Sequence, residues 1–105
     1  MDDDKWVKIC AEDELTSKGV LSARVQEIDV AVFRLADGRL FALEDRCPHR
    51  GARLSAGVIY ETDKVACLDH GWGIRLTDGG VEEPERGCVR TFAVKVEGGA
   101  VLVRI

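Results

Sequence analysis

Hydrophobic and polar positions alternate along most of this chain, in short runs broken by glycine. Trp6-Val7-Lys8-Ile9-Cys10 alternates and predicts a first strand. Ala11 to Lys18 is polar, with Glu12, Asp13 and Glu14 together, and reads as a loop holding at most one helical turn. Gly19 to Val25 and Ile28 to Leu35 are rich in Val, Ile and Phe and predict two paired strands. Asp37-Gly38 is a hairpin turn signal, because glycine takes positive φ cheaply, and Arg39 to Glu44 returns as the next strand. Val65 to Leu68 and Ile74 to Leu76 predict short strands flanking a glycine-bearing loop, and Asp78-Gly79-Gly80 is a second turn. Val89 to Val96 alternates, and Gly98-Gly99 closes a last hairpin into Ala100 to Ile105.

Eight to ten short strands with closely spaced turns define an all-β chain, an antiparallel β sandwich or partial barrel. Residues 45–76 differ: Asp45 to Trp72 has few alternating positions, and reads as a small subdomain of two loops inserted in the β base. No repeat, linker or low-complexity tract divides the 105 residues, so one domain over 1–105 is expected.

Composition narrows the function. Apolar residues are 46% and charged residues 32%, as in a globular protein rather than a disordered one. No apolar run nears the roughly 18 residues of a membrane span. The acidic start, Met1-Asp2-Asp3-Asp4-Lys5, is unlike a signal peptide, so a cytoplasmic location is expected. A net charge of -4 argues against nucleic acid as a partner.

Both histidines and two of the four cysteines fall within 24 residues. The chain reads Cys47-Pro48-His49, then 17 residues, then Cys67-Leu68-Asp69-His70. Each loop offers one thiolate and one imidazole. Two sulfur and two nitrogen donors suit either one tetrahedral zinc or a two-iron cluster with thiolates on one iron and imidazoles on the other. Structural zinc fingers usually segregate cysteines and histidines into separate loops, whereas here each loop carries one of each.

That division, with Pro48 stiffening the first loop and Gly51 and Gly71 admitting close backbone approach, resembles the Rieske family. Cys47-Pro48-His49-Arg50-Gly51 and Cys67-Leu68-Asp69-His70-Gly71-Trp72 match its two motifs. The resemblance implies a [2Fe–2S] cluster with Cys47 and Cys67 on the buried iron and His49 and His70 on the outer one. Two ferric irons, two sulfides and two thiolates sum to zero charge. Reduction is therefore easier than for an all-thiolate dianion, with potentials of about -150 to +300 mV. High-potential respiratory members add a disulfide between the loops and a serine hydroxyl. Here Gly51, Asp69 and Trp72 stand at those places, so the low-potential end is expected, and the Asp69 charge would lower the potential further.

With four protein ligands the cluster has no open coordination site, so it passes an electron and leaves substrate chemistry to a partner. No phosphate loop, dinucleotide fingerprint or nucleophile motif is present. Trp6 to Cys10, Val30 to Leu35 before Asp37-Gly38, Ile74 to Leu76, and Gly87-Cys88-Val89-Arg90-Thr91-Phe92 resemble the small subunit of assimilatory NAD(P)H nitrite reductase. That implies a large partner subunit holding FAD and sirohaem. Many of those small subunits have lost the ligands that this chain keeps. The rival is a stand-alone Rieske ferredoxin serving a ring-hydroxylating oxygenase and its reductase. Such ferredoxins usually have Pro where Leu68 stands and Arg-Phe where Gly73-Ile74 stands.

Cys10 and Cys88 read as small buried apolar residues, unbridged in a reducing compartment. Trp72 reads as packing beneath its loop, and Trp6 as core or surface packing. Arg46, Arg50 and Arg53 either steer an acidic partner or decorate a solvated loop, and Glu82-Glu83 with Glu85 reads as a solvated turn.

Overall fold

A computed structural model describes residues 6–48, 52–68, 71–82 and 87–104. Nine strands are present among them: β1 (Trp6–Ala11), β2 (Val20–Val25), β3 (Ile28–Arg34), β4 (Leu40–Glu44), β5 (Val58–Tyr60), β6 (Lys64–Ala66), β7 (Gly73–Arg75), β8 (Thr91–Glu97) and β9 (Ala100–Arg104). Six form an antiparallel sheet in the order β1-β9-β8-β4-β3-β2, whose edge strands approach each other, so the sheet curls towards a barrel. The other three form a small antiparallel sheet, β5-β6-β7.

β3 explains how the two sheets share one molecule. Val30, Ala31, Val32 and Phe33 are all buried, a continuous apolar run of the kind a strand covered on both faces requires. Successive side chains point to opposite faces. Val30 and Val32 join one core cluster with Val101, Val103, Phe92 and Leu15, inside the curled sheet. Ala31 and Phe33 join a second, with Leu54, Val65, Ile74 and Leu76 of the small-sheet region. β4 divides likewise, with Ala42 in the first cluster and Leu43 in the second.

Two local features depart from the sequence reading. Residues Glu12–Lys18 form a true two-turn helix, α1. Leu15 anchors it at 1% exposure, and the Glu14 Oε1 accepts the Ala11 N–H at 3.0 Å. Acidic residues occupy its first turn and Lys18 its last, which suits the helix dipole. Gly19 ends it at φ +81, with its N–H donating to the Leu15 carbonyl at 2.7 Å. One buried leucine and good end chemistry outweigh the brevity that argued against a helix. In β1, register slips between Lys8 and Cys10 against β9. Alternation alone would put Cys10 on the exposed face of Lys8; the bulge turns it into the core, at 8% exposure.

Candidate metal centre

Two loops leave the β scaffold towards the same core cluster. The first follows β4. The Asp45 N–H still donates to the Asp29 carbonyl at 2.7 Å, extending the β3–β4 ladder by one residue. Cys47 then turns inward, and its N–H donates to the Ala52 carbonyl at 2.7 Å. A single 3-10 turn, Leu54–Ala56, ends the excursion. The second loop joins β6 to β7. The Cys67 N–H donates to the Trp72 carbonyl at 2.8 Å, and the Gly71 N–H donates back to the Cys67 carbonyl at 3.0 Å. Gly71 sits at φ +70, which a side chain would disfavour.

The loops are therefore built alike: in each, a cysteine N–H bonds the carbonyl five residues on. Both cysteine side chains are buried, at 0% and 1% exposure, in the cluster that Leu43, Leu54, Val65 and Ile74 share. The residue after each cysteine points outward. Leu68 is 67% exposed and Pro48 is exposed as well. His49 and His70, with Arg50, Gly51 and Asp69, lie outside the described residues. The structure thus brings the two expected thiol ligands into one buried cluster.

A third segment backs the first loop. Isolated bridges Ile74–Val81 and Gly80–Cys88 extend the small sheet, and the Val89 N–H donates to the Gly79 carbonyl at 2.7 Å. A side chain on Gly87 would lie 3.6 Å from the Pro48 ring. Glu82 is not the solvated turn residue its sequence context suggests. It pairs with Lys64 and Arg75, both at 2.9 Å, and Lys64 and Arg75 also reach Glu61 and Asp78. The Lys64 and then Arg75 bonds hold the Glu82 carboxyl below its ordinary range. Glu83 and Glu85 lie outside the described residues.

Asp45 escaped the sequence reading. It is 3% exposed and the one buried charged residue among those described. Its Oδ1 accepts the Ser55 N–H at 2.7 Å. Its Oδ2 accepts Ser22 Oγ and Ser55 Oγ, each at 2.7 Å, and Arg53 Nη1 at 3.1 Å. Burial alone would push this carboxyl up; the Ser55 and Ser22 bonds and the Arg53 charge outweigh it and hold it below the ordinary carboxylate range. Arg53 is thus committed to Asp45, and also lies 3.9 Å from Asp29, while Arg46 is exposed. A buried acid beside a polar serine pair is visible in a sequence only once the partners, 23 and 10 residues away, are known to meet.

The remaining residues sort as follows. Trp72 packs, partly buried, against the cluster holding both cysteines. Trp6 is partly buried and takes the Lys95 ammonium over its ring at 4.2 Å. Cys10 is buried as expected; burial, then the Glu14 charge, push its thiol up. Cys88 is exposed, contrary to the expectation of a buried residue, and pairs with Gly80 in an isolated bridge. Among the described residues no cysteine forms a disulfide.

Two thiols from two like-built loops thus lie buried in one apolar cluster, each followed by an exposed apolar residue. The chemistry of this donor set fits the thiolate side of a mixed cysteine–histidine cluster. Comparison with known proteins gives the family. The Rieske [2Fe-2S] domain profile matches residues 5–93, and the chain belongs to that family. Its cofactor is accordingly a Rieske-type [2Fe–2S] cluster, and its activity is electron transfer.

Among curated proteins, the ferredoxin component of the alkene monooxygenase system of Xanthobacter autotrophicus is 32% identical over 97% of this chain and 83% of its own length. Several other relatives are much longer, and the chain spans 18–28% of their length. Among solved structures, the ferredoxin of carbazole 1,9a-dioxygenase from Nocardioides aromaticivorans superposes with TM-score 0.85 at 26% identity, covering 95% of this chain and 97% of that one. A candidate NADH-dependent nitrite reductase small subunit from Mycobacterium tuberculosis gives TM-score 0.88 at 25% identity, covering 99% and 97%. Among the described residues no helix is long and apolar enough to cross a membrane.

Proposed function

We propose that Cys47 and Cys67 hold the inner iron, that His49 and His70 hold the outer one, and that the chain carries single electrons to an oxygenase. In this reading residues 45–76 are the cluster-binding subdomain of a single domain. The cluster, when bound, accepts and releases one electron without offering a coordination site to substrate. The protein's own residues do the rest. Cys47 and Cys67, excluded from water, keep the inner side dry. Leu68 and Pro48, exposed at the loop tips, offer an apolar contact beside the histidine positions, so that a docked partner comes close to the outer iron. Arg46, exposed one residue before Cys47, adds a positive charge near the first loop.

The observation that carries this reading is the paired loop construction, with both thiols buried and the apolar tips exposed. An oxygenase partner is favoured by the full-length likeness, 32%, to a monooxygenase ferredoxin component. The sequence motifs by themselves favour the nitrite reductase small subunit. The second reading, a nitrite reductase small subunit, draws on the nearly complete overlap with the M. tuberculosis protein.

The test is electron delivery. The dithionite-reduced chain is mixed in stopped flow with the oxygenase or the FAD–sirohaem reductase encoded nearest its gene. Rapid reoxidation by an oxygenase, slowed in Leu68→Asn at unchanged potential, is expected. A stable complex with a sirohaem reductase and no electron transfer to an oxygenase would reject this reading in favour of the second.

A further inference from the structure

The two ligand loops are supported differently. Cys67 follows β6, which is paired on both sides, by β5 and by β7, and its loop re-enters the ladder directly at Gly73. The hairpin itself sets Cys67. Cys47 follows β4, but the chain leaving its loop enters the 3-10 turn at Leu54–Ala56 and then β5 of the other sheet, which does not pair with β4. Backbone pairing fixes one side of that loop and leaves the other without a ladder.

Asp45 stands where such a ladder is missing. It lies two residues before Cys47, while Arg53 and Ser55 follow Ala52, whose carbonyl closes the loop. One carboxylate thus binds both ends of the excursion and ties them to Ser22 of β2. Arg53 Nη1 also donates to Ser22 Oγ at 3.1 Å, which closes the ring of contacts. Burying a carboxylate costs several kcal/mol unless donors surround it, and this one has four. The expense is concentrated at the ligand loop that the sheet does not hold.

Building on the ligand assignment above, we infer that Asp45 is a positioning residue: its carboxylate clamps the first cysteine loop closed and so sets the geometry of the Cys47 side of the cluster. It acts through the loop. Ser22, Arg53 and Ser55 are the arms of the clamp.

The test uses the cluster-loaded chain, purified anaerobically, with Asp45→Ala, Asp45→Asn, Ser22→Ala and, as a control in the other core cluster, Leu15→Ala. Cluster loss to a chelator is followed by visible absorbance, the fold by far-UV circular dichroism, and the reduced cluster by its g values. Asp45→Ala should lose its cluster at least about tenfold faster, the factor expected from one lost hydrogen bond to a charged group, with displaced g values. Asp45→Asn keeps an oxygen for the Ser55 N–H and should recover much of the wild-type rate. Leu15→Ala should lower the melting midpoint and leave the g values unchanged.

Wild-type release rates and g values in Asp45→Ala would overturn the clamp while leaving the ligand assignment standing. If Asp45→Ala does not fold, Ser22→Ala decides: faster release at an unaltered dichroism spectrum supports the clamp, and wild-type release overturns it. A wild-type chain that binds no iron and sulfide overturns the clamp together with the ligand assignment.

Discussion

Three glycines separate the two reasons a fold needs glycine, and one of them bears on the cluster. Gly38, in the β3–β4 turn, has φ +94 and open space where a side chain would go. Gly38→Ala therefore carries only the conformational penalty, about 1–2 kcal/mol. Gly57 has φ -80, which alanine adopts freely, but its Cβ would strike the Ala66 carbonyl oxygen and come 2.9 Å from Val65 Cγ2. Overpacking of about 1–3 kcal/mol is offset by the 0.4–1 kcal/mol (roughly) gained from a stiffer unfolded chain. Gly79 combines both: φ +76, and a Cβ that would strike the Val89 carbonyl. The sum for Gly79→Ala is about 2–5 kcal/mol. At roughly 4 °C or more per kcal/mol, its melting midpoint should fall by at least about 8 °C, further than either other variant.

The location of the damage also differs. Gly79 holds Val89, and Val81 donates to the Gly87 carbonyl at 3.0 Å, so displacement at residue 79 reaches the segment beside Pro48. Gly38 lies at the opposite end of β4 from the first loop. Melting the cluster-loaded variants anaerobically, with absorbance and dichroism recorded together, should show the absorbance lost ahead of the fold in Gly79→Ala only. If Gly79→Ala melts no lower than Gly38→Ala, the close approach of residues 79 and 89 is refuted.

Other perturbations probe the remaining parts of the account. Leu54→Ala removes a fully buried side chain from the cluster that holds both cysteines, and should cost about 2–5 kcal/mol in a melting experiment. The β2–β3 turn places Gln26 and Glu27 at φ 52 and 69, so Gln26→Asn with Glu27→Gly should raise the midpoint by relieving roughly 1 kcal/mol per residue; a lower midpoint would contradict that turn geometry. Iodoacetamide should label Cys88 in the native chain well before Cys10, since Cys10 is buried and its raised pKa keeps it protonated until higher pH. Mass spectrometry of the labelled peptides checks that order.

The β base was legible because its physics is local. Alternation marked β1 and β8, the wealth of Val, Ile and Phe marked β2 and β3 as paired strands, and glycine-bearing turns marked the hairpins. The cysteine pairs were legible because a thiol next to an imidazole, twice, is rare by chance. What escaped depends on partners distant in sequence. β5, with Val58 and Ile59 exposed, has no alternation to announce it and exists because β6 pairs with it. The bulge at Ile9 shows only in the register against β9. Asp45 reads as one acid among many until Ser22, Arg53 and Ser55 converge on it. Glu82 looks solvated until Lys64 and Arg75 are seen on the neighbouring strands.

The most direct measurement is metal and sulfide analysis of the anaerobically purified chain together with the paramagnetic spectrum of its reduced form. Two irons and two sulfides per chain, with the low average g value of mixed histidine–cysteine ligation, are predicted, and replacing either His49 or His70 by cysteine should lower the potential. A colourless protein holding one zinc per chain would contradict the account.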